Sequence, residues 1–253
     1  MVDTLVNSNS IRINPDAIKP GEPGVGREEL LVRRRMSVAA RERHIVDGAI
    51  GFFAEQGFTG QMRDLASAIG VTHTLVYHYF PTKQALIDRV YAEVFEGRWK
   101  TEWEQLLDDH KLSPQEKFVR FYCEYAQAVL TREFVRILVF SGLADHSITD
   151  RFFALRGERL FPRLIRETRR YRQCASRART HPREHELLMG LHGSVFYGGI
   201  RAFVYGQTSQ AGSGSLTDEK LITDRVVGYL AASVALTPAG LAASNVNKKV
   251  KRG

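Results

Sequence analysis

Between Gln61 and Lys83 the chain sets hydrogen-bonding side chains at intervals that suit a nucleic-acid surface. Thr72, His73 and Thr74 stand in a row, Tyr77, His78 and Tyr79 follow one turn later, and a lysine sits at 83. Hydroxyls, a helix N-terminus and a lysine can fix a protein on phosphates, while a few side chains of one inserted helix read base edges. Chemistry is thinner elsewhere. The sequence has no Gly-rich phosphate loop, no metalloprotease motif and no nucleophile elbow. His181 and His185 lie four apart, a spacing that can chelate a metal, but Glu184 and Glu186 at a helix start favour a water-facing pair. Cys174, flanked by Arg172 and Arg177, has a setting that can activate a thiolate, yet as a single unpaired cysteine it reads as a reduced thiol. The expectation is a protein that is not an enzyme and uses no metal or cofactor.

The elements that must position these residues are helical. Ile45, Ala49, Phe52 and Phe53 recur at helical spacing, as do Leu86, Val90 and Val94, and then Phe118, Tyr122, Tyr125 and Val129. Ser113-Pro114-Gln115-Glu116 has the form of a capping box, and Thr217-Asp218-Glu219 offers a cap with acids at the positive end of a helix dipole. The chain therefore reads as all-α, with about nine helices. Between Ala39 and Lys83 the order is compact. An amphipathic helix ends near Glu55-Gln56-Gly57, and a second helix runs from about Gln61 to Ile69, burying Leu65, Ala66 and Ile69. Gly70-Val71 turns, Thr72 caps a third helix reaching Tyr79, and Pro81-Thr82 starts a fourth. Two short helices joined by a glycine turn make a helix-turn-helix, whose second helix lies in the DNA major groove. Val71, Val76 and Phe80 read as its core.

Arg63-Asp64-Leu65-Ala66, Ile69-Gly70-Val71-Thr72, Val76-Tyr77-His78-Tyr79-Phe80 and Thr82-Lys83-Gln84-Ala85-Leu86 together resemble the DNA-binding domain of TetR-family repressors, over roughly residues 41–90. The resemblance implies that His73, Thr74 and Leu75 approach base edges, that Tyr77 and Lys83 contact phosphate, and that Arg63 lies near the groove. Gln61, Thr72, His78 and Tyr79 complete the expected DNA-binding set, Tyr79 dividing between packing and phosphate contact. Gly60-Gln61 replaces the common Thr-Thr, and His73 and Leu75 replace small residues, so no relative's operator transfers. The resemblance further implies a homodimer on a pseudo-palindromic double-stranded DNA operator, and a C-terminal helical domain for dimerisation and a small-molecule effector. A nucleoid-associated or architectural DNA-binding protein, and a sequestering protein without an operator, are the alternatives of other classes.

Composition sets the frame. Of 253 residues, 43% are apolar and 25% charged, as in ordinary globular proteins, and two cysteines exclude a disulfide scaffold. With no signal-like start and no long apolar run, the expected location is the cytoplasm, associated with the nucleoid and away from membranes. The expected divisions are a mobile arm at 1–30, the helix-turn-helix domain at 31–90, the dimerisation and effector domain at 91–237, and a disordered tail at 238–253. Net charge is +8, yet the excess is not in the DNA-binding motif: residues 151–183 hold eleven arginines against Glu158 and Glu167. Arg156, Arg159, Arg163, Arg166 and Arg170 fall at 3-4-3-4 spacing along one helix face, read first as solvated, with acids on a neighbouring helix or subunit and an anionic effector as the other readings. Arg33-Arg34-Arg35 reads as a solvated arm or a phosphate contact. Small residues at Gly190, Ser194, Gly198, Ala202 and Gly206, and at Gly228, Ala232 and Ala235, make smooth stripes for a four-helix dimer interface or for packing within the chain. Aromatics crowd the middle helices, where Tyr122, Tyr125, Arg136, His192 and Tyr197 are the expected polar groups of an effector cavity.

Overall fold

The computed structural model describes residues 36–144, 146–174, 179–207 and 217–236. The expected arm, the expected tail and Arg33-Arg34-Arg35 lie outside them. Among the described residues there are eleven α-helices and no strand, where about nine helices were expected. They are α1 (Val38–Gln56), α2 (Met62–Ala68), α3 (His73–Tyr79), α4 (Lys83–Tyr91), α5 (Thr101–Asp108), α6 (Pro114–Val129), α7 (Arg132–Leu143), α8 (Ser147–Arg159), α9 (Phe161–Tyr171), α10 (Pro182–Phe203) and α11 (Glu219–Ser233). The caps are those the sequence signals. Ser113 Oγ accepts from the Glu116 amide while Glu116 accepts from the Ser113 amide, and Asp218 accepts from the Lys220 and Leu221 amides. The arginine-rich stretch is two helices and not one, because Pro162, with no amide hydrogen to donate, breaks it behind Leu160 and opens α9.

One core runs through the molecule, with α6 at its centre. Phe118, Phe121, Tyr122, Tyr125, Ala126 and Val129 of α6 are all buried, packed against α5, α9 and α11. Burying each such aromatic stabilises by roughly 1.5–3 kcal/mol. Two paired carboxylates are buried with it. Lys117 Nζ meets Glu167 at 2.9 Å with both side chains shielded from solvent, and also donates to the Leu107 carbonyl at 2.9 Å. Glu184, at the start of α10, takes two hydrogen bonds from Arg169, at 3.0 and 2.6 Å, and one from Arg172. Burial alone would raise the Glu184 pKa, but bonds from Arg169, the His181 amide and Arg172 outweigh it and hold the carboxyl at about 2.

The short helices α2 and α3 join this bundle through α1 and α4. Gly57 closes α1 at φ +66°, and a Cβ there would stand 2.9 Å from the Phe140 ring of α7. Arg136 of α7 donates to the Ala54 carbonyl at 2.5 Å and to the Phe203 carbonyl at 3.2 Å, so it pins the C-terminal ends of α1 and α10 together. Arg132 of α7 pairs with Glu55 of α1, and Arg151 of α8 pairs with Asp88 of α4 at 2.8 Å.

Candidate nucleic-acid interface

Local rules build the helix-turn-helix. The Val71 amide donates to the Ala66 carbonyl at 2.9 Å and the Gly70 amide to the Ser67 carbonyl at 3.2 Å, the paired bonds of a Schellman end, with Gly70 at φ +70°. Thr72 Oγ1 then accepts from the Leu75 amide at 3.2 Å and starts α3; Thr82 Oγ1 does the same for the Ala85 amide at 3.0 Å and starts α4. The turn is held from behind by α1. His44 Nε2 lies 3.1 Å from the Ile69 carbonyl, and a Cβ at Gly48 would fall 2.3 Å from Ile69 Cγ2, so only glycine lets α1 come this close. Leu65, Val76 and Leu86 are completely buried, and Phe80 nearly so, while Val71 is half-buried.

With the apolar side spent on the core, the opposite side of α3 faces solvent. Thr72, His73, Thr74, Tyr77 and His78 are exposed; Leu75 and Tyr79 are half-buried. The His73 ring stands edge-on to the Tyr77 ring, one turn further along α3, at 4.7 Å. Gln61 and Arg63 of the supporting helix are exposed beside them, and together with Met62, His73, Tyr77 and Lys83 they line an open cleft of about 410 Å³. Arg63 makes no ion pair among the described residues, so its guanidinium is uncommitted. Lys83 is half-buried and already engaged. Its ammonium donates to the Phe58 carbonyl and, at 2.8 Å, to the Gly60 carbonyl, leaving one N–H of three for a phosphate. Lys83 thus also ties the loop before α2 to α4, a role its spacing does not announce.

The other expected site residues are less well gathered. Tyr122, Tyr125 and His192 come together in the interior, with Tyr125 Oη 3.2 Å from His192 Nε2. Arg136 stands at the joint of α1, α7 and α10, and Tyr197 is half exposed on the outer face of α10. Gly190 and Tyr197 are exposed, Ser194, Gly198 and Ala202 half-buried, and Gly228 and Ala232 of α11 exposed; Gly206 follows the end of α10. His181 caps α10, its Nδ1 accepting from the Arg183 amide at 3.2 Å, while His185 Nδ1 lies 3.2 Å from Glu186. No cluster of three or more metal-ligating side chains occurs among the described residues. Sequence reasoning missed Arg156, assigned above to a solvated stripe but only 7% exposed. Its signal was the apolar company of Phe152, Phe153 and Phe161 around it.

Residues 45–90 match the family of bacterial regulatory proteins known as the tetR family. No curated protein sequence matches the chain. Among solved structures, the fold resembles a TetR-like transcriptional regulator from a Rhodococcus species, with 19% identity and a TM-score of 0.52 over 78% of this chain and 99% of that one. It also resembles a tetR-family transcriptional regulator from Streptomyces coelicolor, with 16% identity and a TM-score of 0.53 over 82% and 87% of the two chains. A third likeness is to the TetR-family regulator PfmR from Thermus thermophilus, at 20% identity and a TM-score of 0.50 over 74% and 96%. Residues 45–90 are therefore a helix-turn-helix DNA-binding domain of the tetR family, carried on a TetR-like all-helical fold.

Proposed function

We propose that the chain is a homodimeric, sequence-specific DNA-binding regulator, a repressor that a small molecule releases from a pseudo-palindromic operator. The observation that carries this reading is the exposed end of α3, where His73, Thr74 and Tyr77 face outward while Val76 and Phe80 hold the helix in the core. His73, Thr74 and Leu75 then meet base edges, and Tyr77, Arg63 and the remaining Lys83 proton meet phosphate. Gln61, Thr72, His78 and Tyr79 border the same surface. In this reading residues 31–90 bind DNA, residues 91–237 dimerise and take the effector, and the protein works in the cytoplasm on the nucleoid.

Dimerisation is supported by the outer faces of α10 and α11. Tyr197 and Val227 are exposed there, Val204 and Val234 are exposed just past the helix ends, and a Cβ at Gly190, Gly193 or Gly228 would have open space around it. A second copy can approach closely along such a face and form a four-helix interface. Gly199 points the other way, its added Cβ falling 2.9 Å from Val135, so α10 has one packed and one open side. The ties from Arg136 and Arg151 to α1 and α4 supply the coupling: a shift of α7 or α8 must move the DNA-binding helices with it.

Selection of bound duplexes from a random pool tests the reading. Enrichment of a two-fold-symmetric sequence is the expected outcome, and His73→Ala relaxes preference at one position in each half-site. Binding with no enriched sequence would replace the regulator by an architectural protein.

A further inference from the structure

Three polar groups in the bundle interior lack a partner and lie together, the Tyr122 and Phe161 rings 6.0 and 5.8 Å from the His192 ring and the Arg156 guanidinium 4.7 Å from Phe161. Tyr122 Oη, His192 Nδ1 and Arg156 Nε have no hydrogen-bond partner among the described residues, although all three side chains are more than nine-tenths buried. Tyr125 completes the group through its 3.2 Å contact with His192. Arg156 is the anomaly. Other buried cations here have a carboxylate, Lys117 in Glu167 and Arg169 and Arg172 in Glu184, whereas Arg156 has none among the described residues. Its guanidinium lies instead 4.7 Å from the ring centres of Phe153 and Phe161, and its Nη2 points at the Met189 sulfur at 3.5 Å. Aromatic faces offset only part of the cost of taking a cation out of water, so an anion is the missing partner.

We propose that Arg156 anchors the effector site and that the effector is an organic carboxylate with an apolar body. This rests on the regulator reading above and names its ligand class. The chemistry selects the class. One buried cation balances one negative charge, and Tyr122, Tyr125 and His192 are uncharged hydrogen-bonding groups around it. Burial, with the Arg156 charge adding to it, holds the His192 pKa down at about 3, so the imidazole contributes no second positive charge. A phosphate dianion would lack its second cation, while Phe153, Phe161 and Met189 suit a hydrocarbon. Of the rings over the guanidinium, Phe152 and Phe161 are buried and Phe153 is 44% exposed, so the Phe153 side is the short way in. The site also has a lever, because α8 carries both Arg156 and Arg151, the tie to Asp88 of α4.

Thermal unfolding of the full chain tests this without DNA. The probes are millimolar benzoate, phenylacetate, hexanoate and decanoate, each against its primary amide, with inorganic phosphate as a further arm. At least one carboxylate is expected to raise Tm by about 5 °C near saturation, and its amide and phosphate to leave Tm unchanged. Arg156→Met should remove that response while keeping the apo Tm the same or higher, since an unpaired buried charge is gone. Tyr122→Phe, which deletes a hydroxyl with no partner, should keep the fold and raise about tenfold the carboxylate concentration needed for a given Tm shift, as loss of one hydrogen bond to a charged group would. No response to any carboxylate, an equal response to the amides, a response to phosphate alone, or an undiminished response in both variants would overturn the site. Arg156→Met still binds DNA like the wild type if the regulator reading is right, so the two ideas fail separately.

Discussion

The arginines of α9 and Arg156 of α8 belong to one regular spacing in the sequence and have opposite fates in the fold. Arg159, at the end of α8, pairs with Glu104 at 2.5 Å, and Arg163 of α9 meets Glu104 at 3.0 Å and Asp108 at 3.2 Å. Arg166 meets Asp108 at 2.5 Å, and Arg170 reaches Glu167 at 3.3 Å as well as the His110 and Leu112 carbonyls. The stripe is therefore paired with acids while it stays at the surface, Arg166 49% and Arg170 39% exposed. Its partners are chiefly the acids of α5, a helix more than fifty residues away. Arg156 faces inward and meets rings. The contrast teaches that charge spacing along a helix fixes which residues share a face, but the partner element decides whether the charge is paired, screened or held open.

The largest effect expected from this contrast is at Glu167. Replacing it with Ala strands Lys117 in a fully buried position and removes one partner each from Arg166 and Arg170, a loss of about 3–5 kcal/mol. Urea unfolding should show it as a lower midpoint, and a loss below about 1 kcal/mol would mean that Lys117 finds water. Next comes the double change Arg159→Gln with Arg163→Gln. It leaves Glu104, only 16% exposed, without its guanidinium partners and should cost about 1–2 kcal/mol. A solvated stripe would instead give equal or greater stability.

A third effect is on pH dependence, where His192 reports on the unpaired side of the contrast. The unfolded chain protonates His192 below about pH 6.5, the folded one only near 3, so stability is whole above 6.5 and is lost as pH falls between these values. Glu184 adds its own loss lower down, from its usual 4.5 toward about 2. His192→Gln should flatten the acid limb between pH 6.5 and about 3, leaving only the Glu184 loss from about 4.5 toward 2. An unchanged limb in thermal melts at stepped pH would show that His192 is charged in the fold.

Much of the DNA-binding unit was legible because short-range chemistry makes it. Gly57, Gly70, Thr72 and Thr82 act on amides within five residues of themselves, so their identities mark the ends of α1, α2, α3 and α4 directly. Helical spacing likewise gathered Tyr122 and Tyr125, and His192 joined them across 67 residues because all three are core. What was hidden depends on distant partners. Nothing near Arg136 in sequence shows that it caps α1 and α10, and nothing near Lys83 shows the carbonyls of Phe58 and Gly60 waiting for it. The break at Pro162 was visible in the residue itself, yet the regular arginine spacing ran across it and favoured one helix over two.

The most direct test of the central claim, two α3 helices presented by a two-fold dimer, uses the operator recovered by selection. Five base pairs inserted between its half-sites rotate one half-site by about half a helical turn, out of reach of a dimer whose recognition helices are set about 34–36 Å apart. Fluorescence anisotropy at fixed salt should then show affinity falling by roughly 100-fold or more, toward non-specific binding. Equal affinity for the native and expanded operators would contradict a rigid dimer reading both half-sites at once.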